Sequence, residues 1–380
     1  MKPAEQYRGF EQGPIRPPSE AESLLIRVTR NCPWNRCSFC PVYKNSTFSR
    51  RPIDHVLRDI DTVRMYTEAI VDSRKSGLKT LPANYNGFPL DDQQALHAAY
   101  QFVAGGMQSI FIQDGNSLII HPDDFIRILK HLQNAFPMVK RVTSYGRSHT
   151  IARIDDHYLL QMAEAGLNRI HIGMESGSDK VLKLVNKGSD KATQILAGQK
   201  VKAAGIELSE YYMPGLGGKP LWEENASETA DALNQINPDF IRLRTLALPP
   251  AAPLTRQFQE GKFIKMGDVD TARELLLFLE SLEGITSTIR SDHVLNLFPE
   301  IDGTLPESGD KLQQTVRDFL VLPKEEQLLF CIGRRTHRMA RLDDLTNPQL
   351  RRYTEQMRDE LGATVENMDS IIDALMQRFI

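Results

Sequence analysis

The stretch Leu24-Leu25-Ile26-Arg27-Val28-Thr29-Arg30-Asn31-Cys32-Pro33-Trp34-Asn35-Arg36-Cys37-Ser38-Phe39-Cys40-Pro41 decides how the rest of the chain is read. Three of the four cysteines in 380 residues fall within nine positions of it, and the fourth, Cys331, lies far away. An aliphatic, strand-like run feeds straight into them. Thiolates gathered on a loop after a strand point to a metal, because a cation offsets the cost of crowding them. The spacing C-x4-C-x2-C supplies three. A structural zinc site wants four ligands and closes with a second short-spaced pair. No such pair and no H-x-x-x-H pattern accompanies these cysteines. Electron-carrier iron–sulfur clusters also take four cysteines each. Three thiolates suit a cubane cluster with one iron open to an external ligand.

Outward from this loop, strands and helices alternate. Residues 24–28 form the first strand. Asp54, just after Pro52, is expected to cap a helix whose apolar positions Val56, Ile60, Val63 and Ile70 keep helical spacing. Residues 77–89 read as a loop broken by Pro82, Asn86-Gly87 and Pro89. Five more strands, at 109–113, 141–145, 169–173, 207–212 and 240–245, then alternate with helical stretches at 123–135, 155–165, 180–184, 192–204 and 223–236. Repeated βα units imply parallel strands with right-handed crossovers. The expected fold class is therefore α/β, an open (βα)6 partial TIM barrel with a mostly helical C-terminal region. Residues 1–22 read as an extension lying on the surface, 23–250 as the barrel and 251–380 as the helical region. Past Pro249-Pro250 and Pro253 the strand rhythm stops.

Composition narrows the class. An apolar share of 41% and a charged share of 25% are those of a globular protein, and a net charge of −3 gives no general attraction to nucleic acid or anionic membranes. No apolar run approaches a membrane span, and residues 1–13 are polar rather than signal-like. Few, unpaired cysteines are expected in a reducing cytoplasm. Arg334, Arg335, His337, Arg338 and Arg341 read as a solvated basic helix face, which makes nucleic acid an unlikely partner. Cys331, inside Leu328-Leu329-Phe330-Cys331-Ile332, reads as buried packing. His149 and His171 read as hydrogen-bonded scaffolding.

In a parallel barrel the carboxyl ends of the strands carry the chemistry. After the cysteines those ends bear Asp114-Gly115-Asn116-Ser117, Ser144-Tyr145-Gly146-Arg147-Ser148, Gly173-Met174-Glu175-Ser176-Gly177-Ser178 and Tyr211-Tyr212-Met213-Pro214-Gly215-Leu216. Together with the cysteine loop these segments resemble the radical SAM superfamily. Cys32-Pro33-Trp34-Asn35-Arg36-Cys37-Ser38-Phe39-Cys40 is similar to the branch with the longer C-x4-C-x2-C motif.

The resemblance implies that Cys32, Cys37 and Cys40 hold a 4Fe–4S cluster whose open iron takes S-adenosylmethionine. It places Phe39 beside the adenine and Asp114, Gly115 and Asn116 on the side of the methionyl amino group. Glu175, with Ser176 and Gly177, falls on the ribose side, and Gly215 where adenine meets backbone. Arg147 and Lys187 are candidates for the methionyl carboxylate on charge and position. Each has a plainer reading. Glu175 could serve the start of the following helix, Lys187 a helix C-terminus, Phe39 packing, and the glycines only a loop. The implied reaction is reductive cleavage of the cofactor to a 5′-deoxyadenosyl radical that abstracts hydrogen from a substrate. Reduced ferredoxin or flavodoxin is the implied electron donor. The catalytic residues and the substrate are not legible. A non-catalytic carrier of a cluster or a haem-like group, and a zinc-stabilised barrel, are the competing readings.

Overall fold

The structure is a computed structural model that describes residues 5–78 and 80–379. The first four residues of the expected extension, Lys79 in the expected loop and Ile380 lie outside the described residues. The chain packs as two compact units. One comprises the described residues up to Asn35 with those of Asn45–Ile172 and Lys200–Leu208; the other comprises Arg36–Lys44, Gly173–Gln199 and the described residues from Ser209 onward.

The first unit holds β1 (Leu24–Arg27), α1 (Ile53–Lys75), α2 (Gln93–Ala104), β2 (Ser109–Gln113), α3 (Pro122–Ala135), β3 (Arg141–Gly146), α4 (Asp156–Glu164) and most of β4 (Leu167–Glu175). These strands run parallel in the order β1-β2-β3-β4, with Leu24 opposite Ile110, Ile110 opposite Val142, and Ser144 opposite Ile170. Apolar side chains on each strand bury this pairing, and Ile26, Ile110, Ile112 and Ile170 are fully buried. In α1 the expected stripe Val56, Ile60, Val63 and Ile70 is buried. The expected cap is not formed. Pro52 takes the N-cap position with no side-chain hydrogen bond, and Asp54 sits exposed in the first turn, where it meets the helix dipole and, at 3.3 Å, Arg127 Nη2.

Helix α2 carries no strong apolar signal. Its buried stripe is Ala95, Ala98, Ala99 and Phe102, and Asp92 caps it by accepting from the Gln94 and Ala95 amides, both at 3.0 Å. The extension does not lie loosely on the surface either. Phe10 and Glu20 are buried, and the Gln113 side chain grips the extension from the end of β2. It accepts from Gly13 N at 2.8 Å and donates to the Gly13 and Ile15 carbonyls at 3.1 and 2.6 Å.

The second unit continues with α5 (Asp179–Leu184), the start of α6 (Lys191–Ala203), most of β5 (Glu207–Tyr212), α7 (Gly218–Ile236), β6 (Phe240–Leu243), α8 (Asp268–Glu280), β7 (Thr288–Arg290), β8 (Gly303–Thr304), α9 (Gly309–Leu320), α10 (Lys324–Arg335), α11 (Pro348–Glu360) and α12 (Met368–Met376). Strands β5, β6 and β7 are parallel, and β8 runs antiparallel to β7. The fold class expected from the sequence holds: α/β, βα units in an open partial barrel, with a mostly helical C-terminal region. Strand pairing reaches further than the sequence rhythm, because β7 has three residues and a single fully buried side chain, Ile289, too few for a period to register.

The basic patch dissolves in the structure. Arg335 turns inward to Asp268, with Nε–Oδ2 3.1 Å and Nη2–Oδ1 2.7 Å, and donates to the Leu295 carbonyl. Arg334 donates to the carbonyls of Leu297, Met339 and Asn296. Only His337, Arg338 and Arg341 remain exposed, so there is no continuous cationic face. Cys331 is buried, as expected from its apolar surroundings. Beside it Phe298, Phe319 and Phe330 pack with ring centroids 5.2 to 6.0 Å apart. Truncating Phe330 to alanine should cost about 3–5 kcal/mol of stability, read as a lowered urea midpoint with an unchanged slope.

Candidate functional site

In the first unit the site residues cluster at the entry to the cysteine loop. Asp114, just past β2, is fully buried. Its Oδ2 accepts from Arg27 Nε at 2.9 Å and from the Asn31 amide at 3.2 Å, and Arg27 Nη2 lies 2.8 Å away. Asp114 therefore braces the residue that precedes Cys32. Asn31 and Asn35 adopt left-handed backbone conformations, with φ of 67° and 44°, which asparagine tolerates better than most residues. Gly115 follows Asp114, and Asn116 bonds on both ends of its amide. Its Oδ1 accepts from the Arg147 amide at 3.0 Å, and its Nδ2 donates to Thr150 Oγ1 at 2.8 Å. The Arg147 guanidinium lies 5.5 Å above the ring of Trp34 in the cysteine loop. His171 is buried 3.6 Å from Glu20 and against Phe111 and Tyr145, in keeping with scaffolding. His149 accepts Arg153 at its carbonyl oxygen.

In the second unit the structure brings together Phe39, Cys37, Glu175, Lys187 and the turn after β5. Cys37 Sγ lies 4.0 Å from the Lys187 carbonyl oxygen, the Ser38 amide donates to Val185 O at 2.8 Å, and Lys44 Nζ donates to the Cys37 carbonyl at 2.9 Å. Lys187 Nζ sits 5.7 Å from the Phe39 ring centroid and 3.2 Å from Glu175 Oε1. Both charged groups lie over Gly173, where a Cβ would collide with the Glu175 carboxylate. Glu175 has φ 67°, an uncommon conformation for a residue with a side chain. Its Oε2 is buried with no hydrogen-bond partner among the described residues. Phe39 packs against an apolar cluster that includes Val181, Val185, Met213, Leu216 and Leu246.

Ser176 and Gly177 turn elsewhere. Ser176 Oγ accepts from the Ser178 amide at 3.0 Å, and the Gly177 amide donates to Thr229 Oγ1 at 2.8 Å. A Cβ on Gly177 would strike the Glu228 carbonyl, so this glycine serves close packing on α7. Ser178 caps α5 by accepting from Val181 N. The plainer reading of Glu175, as the server of that helix start, therefore falls to Ser178.

The turn Met213–Leu216 is pinned from three sides. The Met213 amide donates to Glu175 O at 2.9 Å, and the Leu246 amide donates to Pro214 O at 3.0 Å. Gly215, at φ 86°, donates its amide to Glu274 Oε2 at 2.9 Å. Oε1 of Glu274 accepts from Tyr212 Oη at 2.7 Å and from Asn225 Nδ2 at 2.6 Å. Burial pushes the fully enclosed Glu274 carboxyl up to about 7, against the lowering pull of these donors. Burial first, and Glu274 second, raises the Tyr212 hydroxyl. Burial likewise holds the Glu210 carboxyl well above the ordinary carboxylate range.

None of the four cysteines forms a disulfide; Cys37 is buried, and Cys32 and Cys40 are half-buried. Among the described residues no three His, Cys, Asp or Glu side chains already converge as a metal site. The three loop thiols fit a cluster by donor type and spacing, and the unpartnered Glu175 Oε2 fits a ligand that brings a hydroxyl donor. A family model described as Radical SAM superfamily matches residues 26–230, more than half of the chain. The chain belongs to the radical SAM superfamily. It is an enzyme that uses a 4Fe–4S cluster and S-adenosylmethionine, and it needs a reductant and a substrate.

A curated relative, the tRNA uridine(34) acetyltransferase of Methanocaldococcus infernus, is 20% identical over 284 residues, 71% of this chain and 51% of that protein. The chain thus spans about half the length of the curated relative it matches. Solved structures similar to it include methylornithine synthase, at 13% identity and a TM-score of 0.43 over 77% of this chain and 68% of that one. Coproporphyrinogen III oxidase of Escherichia coli matches at 16% identity and a TM-score of 0.44, over 68% of this chain and 50% of that one. The methyltransferase TsrM of Kitasatospora setae matches at 16% and 0.44, over 64% and 41%. Among the described residues no helix is long and apolar enough to cross a membrane.

Sequence reasoning missed Arg27, Trp34 and Glu274. Arg27 closes an otherwise aliphatic strand, and Glu274 falls on the buried stripe of α8 with Leu275 and Phe278. A charge in such a place signals a buried partner. In this radical SAM enzyme Glu274 keeps a proton that the unfolded chain releases near pH 4.5. Its contribution to stability is therefore full below about pH 4.5 and is lost as pH rises through about 7. Urea midpoints of wild type and Glu274→Gln should diverge across that window, by on the order of 3 kcal/mol, and run parallel above it.

Proposed function

We propose that Cys32, Cys37 and Cys40 are the thiolate ligands of the cluster and that Glu175 takes the ribose hydroxyls of S-adenosylmethionine. The observation that carries this reading is the buried, unpartnered Glu175 Oε2 on a strained backbone, in the same unit as the Cys37–Cys40 part of the loop. When bound, the cluster and S-adenosylmethionine supply a 5′-deoxyadenosyl radical that abstracts hydrogen from the substrate. The chain's own residues bind and orient. Ser176 and Gly177 hold the turn that aims Glu175, and Phe39 with the Gly215 backbone forms the slot for adenine. Lys187 and Arg147 are the cations for the methionyl carboxylate. Asp114 acts by holding Arg27 and the Asn31 amide at the entry to the cysteine loop, while Gly115 and Asn116 face the methionyl amino group. Residues 23–250 form the catalytic barrel, and the later strands with residues 251–380 shape the substrate end. The electron comes from reduced ferredoxin or flavodoxin, in the cytoplasm. The carrier reading gains nothing from the family match.

Anaerobically purified protein should contain about four irons and four sulfides per chain and release 5′-deoxyadenosine on reduction with S-adenosylmethionine. Cys37→Ala should lose both. Glu175→Ala should keep its iron and bind S-adenosylmethionine about tenfold or more weakly by equilibrium dialysis. Zinc without sulfide would overturn the assignment.

A further inference from the structure

The family match ends at residue 230, yet the turn assigned to adenine is held by a side chain beyond it. Two of the three holds on this turn are backbone hydrogen bonds, at Met213 and Pro214. Gly215 is different. It has no Cβ for packing to grip, and a virtual Cβ would meet only Leu246 and Thr271, at 3.5 and 3.8 Å. Its amide is buried and is taken by Glu274 Oε2. Glu274 in turn cannot swing away, because Tyr212 Oη and Asn225 Nδ2 fix its other oxygen and the side chain is fully enclosed.

We infer that Glu274 is a positioning residue for the adenosyl moiety of S-adenosylmethionine, acting by fixing the Gly215 amide and with it the backbone against which the base packs. This rests on the adenine reading of Gly215 proposed above. Above about pH 7, once Glu274 has released its proton, its carboxylate is acceptor-only and can satisfy three donors at once. Without that acceptor the buried Gly215 amide must find another, and the Pro214–Gly215 peptide must rotate to do so. The C-terminal region thereby sets the geometry of a cofactor subsite that the matched segment does not complete.

The test uses full-length, cluster-loaded protein, with S-adenosylmethionine and methionine as probes in equilibrium dialysis. Glu274→Asp keeps the carboxyl group but withdraws the oxygens from Gly215. It should weaken S-adenosylmethionine about tenfold and leave iron content and methionine affinity unchanged. Glu274→Gln keeps the reach. Its carbonyl can accept from Gly215, and its amide can donate to Tyr212 Oη and to Asn225 Oδ1, which has no partner among the described residues. It should restore affinity to within about threefold of wild type. Gly215→Ala should weaken S-adenosylmethionine as Glu274→Asp does.

If Gly215→Ala weakens binding and Glu274→Asp does not, the inference is overturned and the adenine reading stands. If neither weakens it, the adenine reading fails and the inference falls with it. Equal loss of both ligands in Glu274→Asp reveals a general structural role and overturns the inference. Amide hydrogen exchange over residues 213–218 of wild type and Glu274→Gln keeps the test decisive if the aspartate variant does not load iron. Slow exchange in both is expected, and fast exchange in wild type overturns the clamp.

Discussion

A carboxylate taken out of water must be given donors or a proton, and leaving it with neither costs several kcal/mol. That constraint organises both units. In the first, Asp59 takes Tyr7 Oη at 2.8 Å and Arg51 Nη1 at 2.6 Å, which ties the extension and the segment after the cysteine loop to α1. Glu20 accepts from Ser23 at 2.6 Å and lies beside His171, and Asp114 holds β1 to the start of the loop. In the second unit, Asp268 joins α8 to α10 through Arg335, and Glu274 joins α8 to β5, α7 and the Gly215 turn. Such pairs add little net stability over apolar packing, but removing one partner costs about 3–5 kcal/mol. They therefore locate segments by direction, where apolar contact alone would let them slide.

This also explains what was legible in the sequence. The cysteine loop and the βα rhythm can be read because each has a short period or a short spacing carried by neighbouring residues. Val56, Ile60, Val63 and Ile70 announce α1 in the same way. The rest depends on partners distant in the chain. Glu11 looks like an ordinary charge in a Pro- and Gly-rich extension, yet it meets Arg27, Arg30 and Arg51, none of which is near it in sequence. Arg334 and Arg335 read as a solvated face because nothing in the sequence reveals the carbonyls and the Asp268 carboxylate that draw them inward. Helix α2 is hidden by alanines, whose burial leaves little hydropathy contrast, and β7 by its length.

Glu175 stands apart from the other buried acids. Alone among them its backbone sits in the left-handed region, which costs a residue with a side chain about 1–3 kcal/mol, and one of its oxygens, like one each on Glu20, Glu210 and Glu300, has no partner among the described residues. Neither feature helps the chain fold. Both are nonetheless enforced: Gly173 leaves room for the carboxylate, Lys187 fixes Oε1, and the Met213 amide holds the Glu175 carbonyl. Asp114 and Glu274 show that this fold can supply donors to an enclosed carboxylate. A buried, unsatisfied oxygen on this left-handed backbone is what the ribose role proposed for Glu175 calls for. The same Met213 contact links Glu175 to the turn that Glu274 holds, so the acid proposed for the ribose and the glycine proposed for the adenine are set by one connected group of hydrogen bonds.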